Sequence, residues 1–301
     1  MRTLTYTATP ADEGRTVQNI LRRELACSES HISRLKRREE GILLGGMRCY
    51  VTARVKAGDL LAVEIGDLPD GHIVPIAYPL DVIYEDDDLL ILNKPAGISV
   101  HQSTRDPEEI TLENAVCHHL GGLISPHPVS RLDRGTSGLI AFAKSGYVHE
   151  RLRRQMHTSA YARVYLGIAC GIVTPASGVV ELPIGMAEGS TFQRAICDGG
   201  QRARTEYETL TANEQYTLLR LVPRTGRTHQ LRLHMSAVGY PLAGDWLYGV
   251  EDRALIARPA LHSYELSLTH PIAGKHIHLT AELPEDMRRL IDLPKTLEEI
   301  T

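Results

Sequence analysis

A chain of 301 residues with 43% hydrophobic side chains is long enough for two domains and for a sizeable core. Its formal net charge of −4 excludes a protein that coats nucleic acid by bulk electrostatics, and its five cysteines, with no Cys-x-x-Cys pair, read as reduced structural thiols. No basic-then-apolar leader opens the sequence and no stretch reaches the roughly 18 apolar residues of a bilayer span, so the expectation is a cytoplasmic protein with no membrane partner.

In chain order, Val17, Ile20, Leu21 and Leu25 recur at helical spacing, and Ser28 or Ser30 caps a second helix carrying Ile32 and Leu35, which Gly41 stops. Short apolar runs at 42–44 and 60–65 read as strands, the second after a Gly58-Asp59 turn. These elements make a front unit of residues 1–66, in which 11 Lys/Arg face 8 Asp/Glu, whereas residues 281–301 hold 6 acidic and 3 basic side chains. Arg34, Lys36, Arg37 and Arg38 form a basic run there, and a solvated helix face competes with a nucleic-acid contact as its explanation. Residues 67–80, rich in Pro and Asp, read as a linker.

Residues 81–301 read as one further domain with strands over 88–93, 138–144, 161–171, 202–210, 215–223 and 276–283. Helices are expected over 111–120, over 145–157 behind Ser145, and over 228–238 behind a Thr228 cap. Strands outnumber helices without strict alternation, so the expected class is α+β, a mostly antiparallel mixed sheet with flanking helices.

The chemistry concentrates in two stretches. In "PVSRLDRGTSGLIAFAKS", Arg131, Asp133 and Arg134 precede a run of turn residues and then an apolar strand, which puts Asp133 on a tight loop at a strand mouth. An Asp in a turn also bonds its own backbone in many proteins, so this stretch alone leaves both readings open. "GTSGL" imitates the Gly-x-Ser-x-Gly nucleophile elbow but fails at Leu139. In "PRTGRTHQLRLHMSAVG", Arg224, Arg227 and Arg232 cluster at a helix start, which favours an anion; a capped helix with solvated arginines is the alternative. Together they supply a buried carboxylate and the guanidinium that would keep it ionised. Nucleotide-binding glycine loops and His-Glu-x-x-His are absent, and His229 and His234 lie off the four-residue spacing of paired metal ligands, so no metal site is recognisable in the sequence.

"SRLDRGTSGLIAF" resembles the catalytic motif of the RluA-type pseudouridine synthases, and "ILNKPAGISVHQS", "YARVYLGIACG", "TGRTHQLRLH", "GYPLAGDWLYG" and "LHSYELSLTHP" resemble further blocks of that family in the same order. More weakly, residues 14–66 resemble the ribosomal-protein-S-four-like RNA-binding module that often precedes that domain. The resemblance implies an isomerase that detaches uracil from ribose and reattaches it through carbon, with no cofactor. It implies Asp133 as nucleophile or electrostatic partner, Tyr165 as the tyrosine under the base and a candidate general base, and Arg232, ahead of Arg227, as the partner of Asp133. Arg131 would lie beside the site and help hold open the flipped-out nucleotide. Ser130 and Arg163 depart from the family's usual His and Lys. The implied partner is RNA, ribosomal RNA ahead of transfer RNA, bound by a monomer. Competing readings are an assembly protein that binds RNA without turnover, and a glycosidase; the second needs a paired carboxylate, and no acidic partner for Asp133 stands out in these blocks.

Overall fold

The computed structural model describes residues 2–67, 73–102, 106, 108–122, 124–156 and 158–291. Residues 68–72 of the expected linker, Ser103, His157 and the acidic stretch 292–301 lie outside the described residues.

The front unit runs β1 (Thr3–Thr7), α1 (Val17–Arg23), α2 (Glu29–Leu35), β2 (Ile42–Leu44), β3 (Met47–Arg48) and β4 (Leu60–Glu64). Its helices begin where a hydroxyl can satisfy an orphan N–H: Thr16 accepts from Asn19 N and Ser28 from His31 N. Ser28, not Ser30, is therefore the second cap. Gly41 passes so close to the end of α2 that a Cβ would lie 2.3 Å from the Leu35 carbonyl oxygen, which explains the glycine there. The four strands form an antiparallel sheet in the order β1-β4-β2-β3.

The remainder runs β5 (Val82–Glu85), β6 (Leu89–Lys94), α3 (Leu112–His119), β7 (His127–Pro128), β8 (Ser137–Ala143), α4 (Gly146–Gln155) and β9 (Tyr161–Cys170). It continues through β10 (Ser177–Val180), β11 (Ile184–Met186), β12 (Arg194–Ile196), β13 (Thr205–Ala212), β14 (Tyr216–Pro223), α5 (Gln230–Ala237), β15 (Leu261–Thr269), β16 (His276–Thr280) and α6 (Glu285–Ile291). A ten-stranded sheet has the order β10-β13-β14-β9-β15-β8-β6-β5, with β16 paired to β15 and β7 to β8, and β11 with β12 forms a separate ribbon. Every pairing but β8 with β15 is antiparallel, so the expected α+β class with a mostly antiparallel sheet holds.

Alternation along β6 and β8 assigns the two faces. Leu90, Leu92, Ile140 and Phe142 pack with α3 and α5 residues such as Val116, Leu231 and Met235. Leu89, Ile91, Leu139 and Ala141 face the other way, against Val148 and Leu152 of α4 and Ile20, Leu21 and Ile32 of the front unit. The front unit thus shares one apolar cluster with the back of the large sheet. Tyr147 Oη and Arg151 also donate to the Leu25 carbonyl, and Arg2 grips Asp88 at 3.0 Å. The chain after the front unit is docked too. Asp67 accepts from Gly146 N at the start of α4, while Ile76 N donates to the Asn114 carbonyl on α3 and Asn114 Nδ2 to the Val74 carbonyl.

One expectation is corrected and one strand was missed. The helix expected over 228–238 begins at Gln230, and its N-cap is His229, left-handed at φ 58°, rather than Thr228. The central strand β15 escaped the period-2 reading because it interrupts its apolar residues with His262, Ser263 and Glu265. The first two are buried and satisfied inside the sheet: His262 Nδ1 meets Ser137 Oγ at 2.9 Å and Ser263 Oγ donates to the Leu139 carbonyl. Among the described residues, no helix is long and apolar enough to cross a membrane.

Candidate active site

β8 and β15 pair for only two residues, His262 with Ser137 and Ser263 with Gly138. Where they part, on the face carrying α5, a cleft of about 690 Å³ opens, lined by Asp133, Tyr165, Arg232, Arg131, Arg163 and Arg227 among others. Five of the sequence's six separate blocks meet in it, all but "GYPLAGDWLYG".

Asp133 lies on the loop before β8, and a turn closed by Thr136 N donating to the Asp133 carbonyl fixes that loop. The loop is also held from behind. Lys94, read from sequence as a solvent-facing strand-end charge, is fully buried, and its three protons go to the carbonyls of Pro95 (2.9 Å), Ile98 (2.8 Å) and Arg134 (3.2 Å). Burial pulls the Lys94 ammonium down to about 7, against the charge of Asp133, which holds it up. Arg258, which sequence reasoning missed, adds a bond from NH1 to the Gly135 carbonyl and anchors itself on Asp286 at 2.7 Å.

The Asp133 carboxylate retains 26% exposure, and Arg232 NH1 reaches its Oδ2 at 3.4 Å. Arg232, from the buried face of α5, points its Nε and NH2 elsewhere, to Asp245 Oδ2 and Oδ1, each at 2.7 Å. Burial works against the Arg232 charge, but Asp245 and Asp133 outweigh it and hold the guanidinium proton above its ordinary value. Tyr248 lies 5.2 Å from the guanidinium, and its hydroxyl meets His229 Nδ1 at 2.9 Å. Burial lowers His229 despite the Asp133 charge, which favours a neutral ring.

An acidic partner, absent from the sequence reading, is therefore present: Asp245, inside "GYPLAGDWLYG". It does not make a glycosidase pair, because its side chain is 0% exposed and both oxygens are bonded to Arg232. The available signal was a lone Asp among apolar residues, which when buried needs a cation.

Tyr165, on β9, is buried to 5% exposure, sits opposite Ser263 of β15, and contributes to the cleft wall. Arg131 is exposed and donates to Thr228 Oγ1 at 3.0 Å, and Arg227 is exposed and donates to the Arg202 carbonyl. Arg224 does not join them: it pairs with Glu206 at 2.6 Å. Ser130, Arg163 and, from the β11–β12 ribbon, Phe192 and Arg194 complete much of the rim. In the front unit, Lys36 and Arg37 are exposed, Arg34 faces Asp67 at 3.5 Å, and Arg38 is committed to Glu64 at 3.2 Å and to the Gly66 carbonyl.

Residues 88–237 match the model of a family described as RNA pseudouridylate synthase. The chain is 36% identical to the uncharacterized RNA pseudouridine synthase YhcT of Bacillus subtilis over 78% of this chain and 79% of that one. It is 37% identical to ribosomal large subunit pseudouridine synthase D of Yersinia pestis over 80% and 79%, respectively. Its fold is similar to that of human RNA pseudouridylate synthase domain containing 1, with a TM-score of 0.58 at 22% identity over 74% of this chain and 93% of that one.

Proposed function

Because the chain belongs to the RNA pseudouridylate synthase family and is an isomerase acting on RNA, we propose that it converts uridine to pseudouridine in ribosomal RNA, with Asp133 as the group that acts on the ribose–uracil linkage. The observation that carries this reading is Asp133 itself: a carboxylate partly open to a cleft and met by a buried arginine, in a cleft whose wall includes the buried Tyr165. The reaction breaks the bond from the ribose anomeric carbon to uracil N1 and forms one from that carbon to uracil C5. N1 gains a proton and C5 loses one, so atoms balance without oxidant, reductant or cofactor.

Asp133 acts either by attack on the anomeric carbon or by assisting elimination to a glycal. In both routes the Arg232 cation lies 3.4 Å from the carboxylate as the base departs. Tyr165 stacks beneath the uracil and takes the C5 proton. Arg131, exposed at the rim, helps hold open the extruded nucleotide, an extrusion that costs a few kcal/mol. Ribosomal RNA is favoured because the name of the Yersinia pestis relative specifies the ribosomal large subunit; transfer RNA is the alternative. The front unit is read as an S-four-like RNA-binding module, residues 1–66, ahead of a catalytic domain over 81–301. Within its basic run, Lys36 and Arg37 are exposed and available to phosphate, while Arg34 and Arg38 face carboxylates.

The test compares pseudouridine positions in total RNA from cells with and without the gene, then complements with Asp133→Asn. Ribosomal sites should vanish with the gene and stay absent with the variant, while the purified variant keeps its fold and RNA affinity. Product from Asp133→Asn at more than a few per cent of the wild-type rate would overturn the assignment of Asp133, and loss confined to transfer RNA would overturn the choice of substrate.

A further inference from the structure

We propose that Asp245 is a positioning residue for the isomerisation: it clamps the Nε/NH2 edge of Arg232, so that Asp133 receives a single end-on contact from NH1 and not the whole guanidinium fork. The inference rests on the reading that Asp133 performs the chemistry.

A guanidinium has two edges that match both oxygens of a carboxylate, Nε with NH2 and NH1 with NH2. Here Asp245 takes the first with two bonds of 2.7 Å and so sets the direction of the second, which meets Asp133 only through NH1 at 3.4 Å. Asp245 is itself fixed, because its Oδ1 also accepts from Leu247 N at 3.1 Å and Tyr248 N at 3.2 Å. Tyr248 then limits guanidinium rotation from its ring face, and its hydroxyl is held in turn by Arg194 N and His229 Nδ1. The immobilised cation stands between two carboxylates of different character, one sealed at 0% exposure and one open at 26%.

The arrangement has a chemical consequence. An arginine free to turn would satisfy Asp133 through its fork, occupying both oxygens and drawing the carboxylate away from the cleft. A clamped one leaves an oxygen available to a ribose while keeping a positive charge alongside. Stability alone is a poor explanation for the pair, since a buried ion pair often does no better than an apolar one of equal volume.

The test uses full-length protein and a large-subunit ribosomal RNA transcript carrying uridine tritiated at C5, whose label is released as the new carbon–carbon bond forms. Asp245→Asn should lower kcat by about 10²-fold, the scale of a misplacement near 1 Å. KM should stay within about twofold, because substrate binding is not what is lost. Arg232→Gln and the double variant Asp245→Asn/Arg232→Gln should have equal kcat, since Asp245 acts only through Arg232. Additive losses, or a wild-type kcat in Asp245→Asn, overturn the proposal.

A second readout does not depend on turnover. The Arg232 Nε–H resonance, identified by its disappearance in Arg232→Gln, should be protected from exchange in the wild type and lose that protection in Asp245→Asn. Unchanged protection overturns the clamp whatever the substrate is. Should Asp245→Asn melt too low to assay, Asp245→Glu keeps the buried charge but displaces the fork; it should fold and lose kcat at least tenfold by the same misplacement, and wild-type kcat there overturns the proposal. If wild-type protein releases no label from ribosomal RNA, the substrate reading fails and the same kinetic comparison is made on transfer RNA transcripts.

Discussion

Tyr165 has two tasks in the proposed reaction, stacking and proton transfer, and only one of them needs its hydroxyl. Removing that oxygen separates them. Tyr165→Phe keeps the ring in its place on β9 opposite Ser263, so RNA affinity should be nearly unchanged. A group that takes a proton in the transition state contributes about 10²–10⁴-fold in rate. Single-turnover release of the C5 label should fall by that amount, and an unchanged rate would reduce Tyr165 to packing. Lys94 makes a related point about what a residue's surroundings decide. In sequence it is a lysine before a proline; in the fold it spends all three protons on carbonyls around the Asp133 loop.

The glycines of "GTSGL" belong to the scale of elements. The motif resembles a nucleophile elbow, yet Gly138 serves a different need. Its φ is +107°, and a Cβ there would lie 2.2 Å from the Ser263 carbonyl oxygen and 2.6 Å from its nitrogen. Both atoms are backbone of the partner strand, so neither can step aside. Gly138 is thus what lets β8 approach β15 in their brief parallel pairing, and the cleft opens at that junction. Gly138→Ala should force β8 from β15, lowering the melting temperature and reducing activity together, at a cost on the order of 1–3 kcal/mol or more for overpacking and a strained backbone. Thermal melting checks it, and a melting temperature within a degree or two of wild type would show that the strands can part without loss.

At the scale of the molecule, the front unit is joined to the rest by more than a linker. Ile20, Leu21 and Ile32 share a cluster with Leu89, Ile91, Leu139 and Val148, so a protein starting at residue 81 exposes apolar surface on the back of the sheet. It should melt at lower temperature and be prone to association. None of the residues lining the cleft belongs to the front unit, so single-turnover activity at saturating RNA should persist at temperatures where the fragment stays folded. RNA binding should weaken, with a shallower salt dependence: the slope of log affinity against log salt flattens by about 0.7 per lost contact on single strands or 0.9 on duplex. Binding over a salt series for both forms measures this, and equal slopes would count against phosphate contact by Lys36 and Arg37.

The sequence by itself determined the fold class and the local chemistry. Strand-like runs bounded by turn residues marked β6, β8, β9, β13 and β14, apolar residues at helical spacing marked α1 and α3, and serine caps marked α2 and α4, because those signals act within a few residues. It also brought Asp133, Tyr165 and Arg232 forward together, since each stands in a block of family-like sequence. Tertiary structure alone decided what joins those blocks. The pairing of β15 between β8 and β9 places the loop before β8 beside α5, and no local pattern encodes which strand lies next to which. Likewise Asp245 and Lys94 are ordinary residues in the sequence, and their roles come from burial, which makes an unpaired charge so costly that each must find partners brought in from other blocks: Arg232, thirteen positions away from Asp245, and the Arg134 carbonyl, forty positions from Lys94.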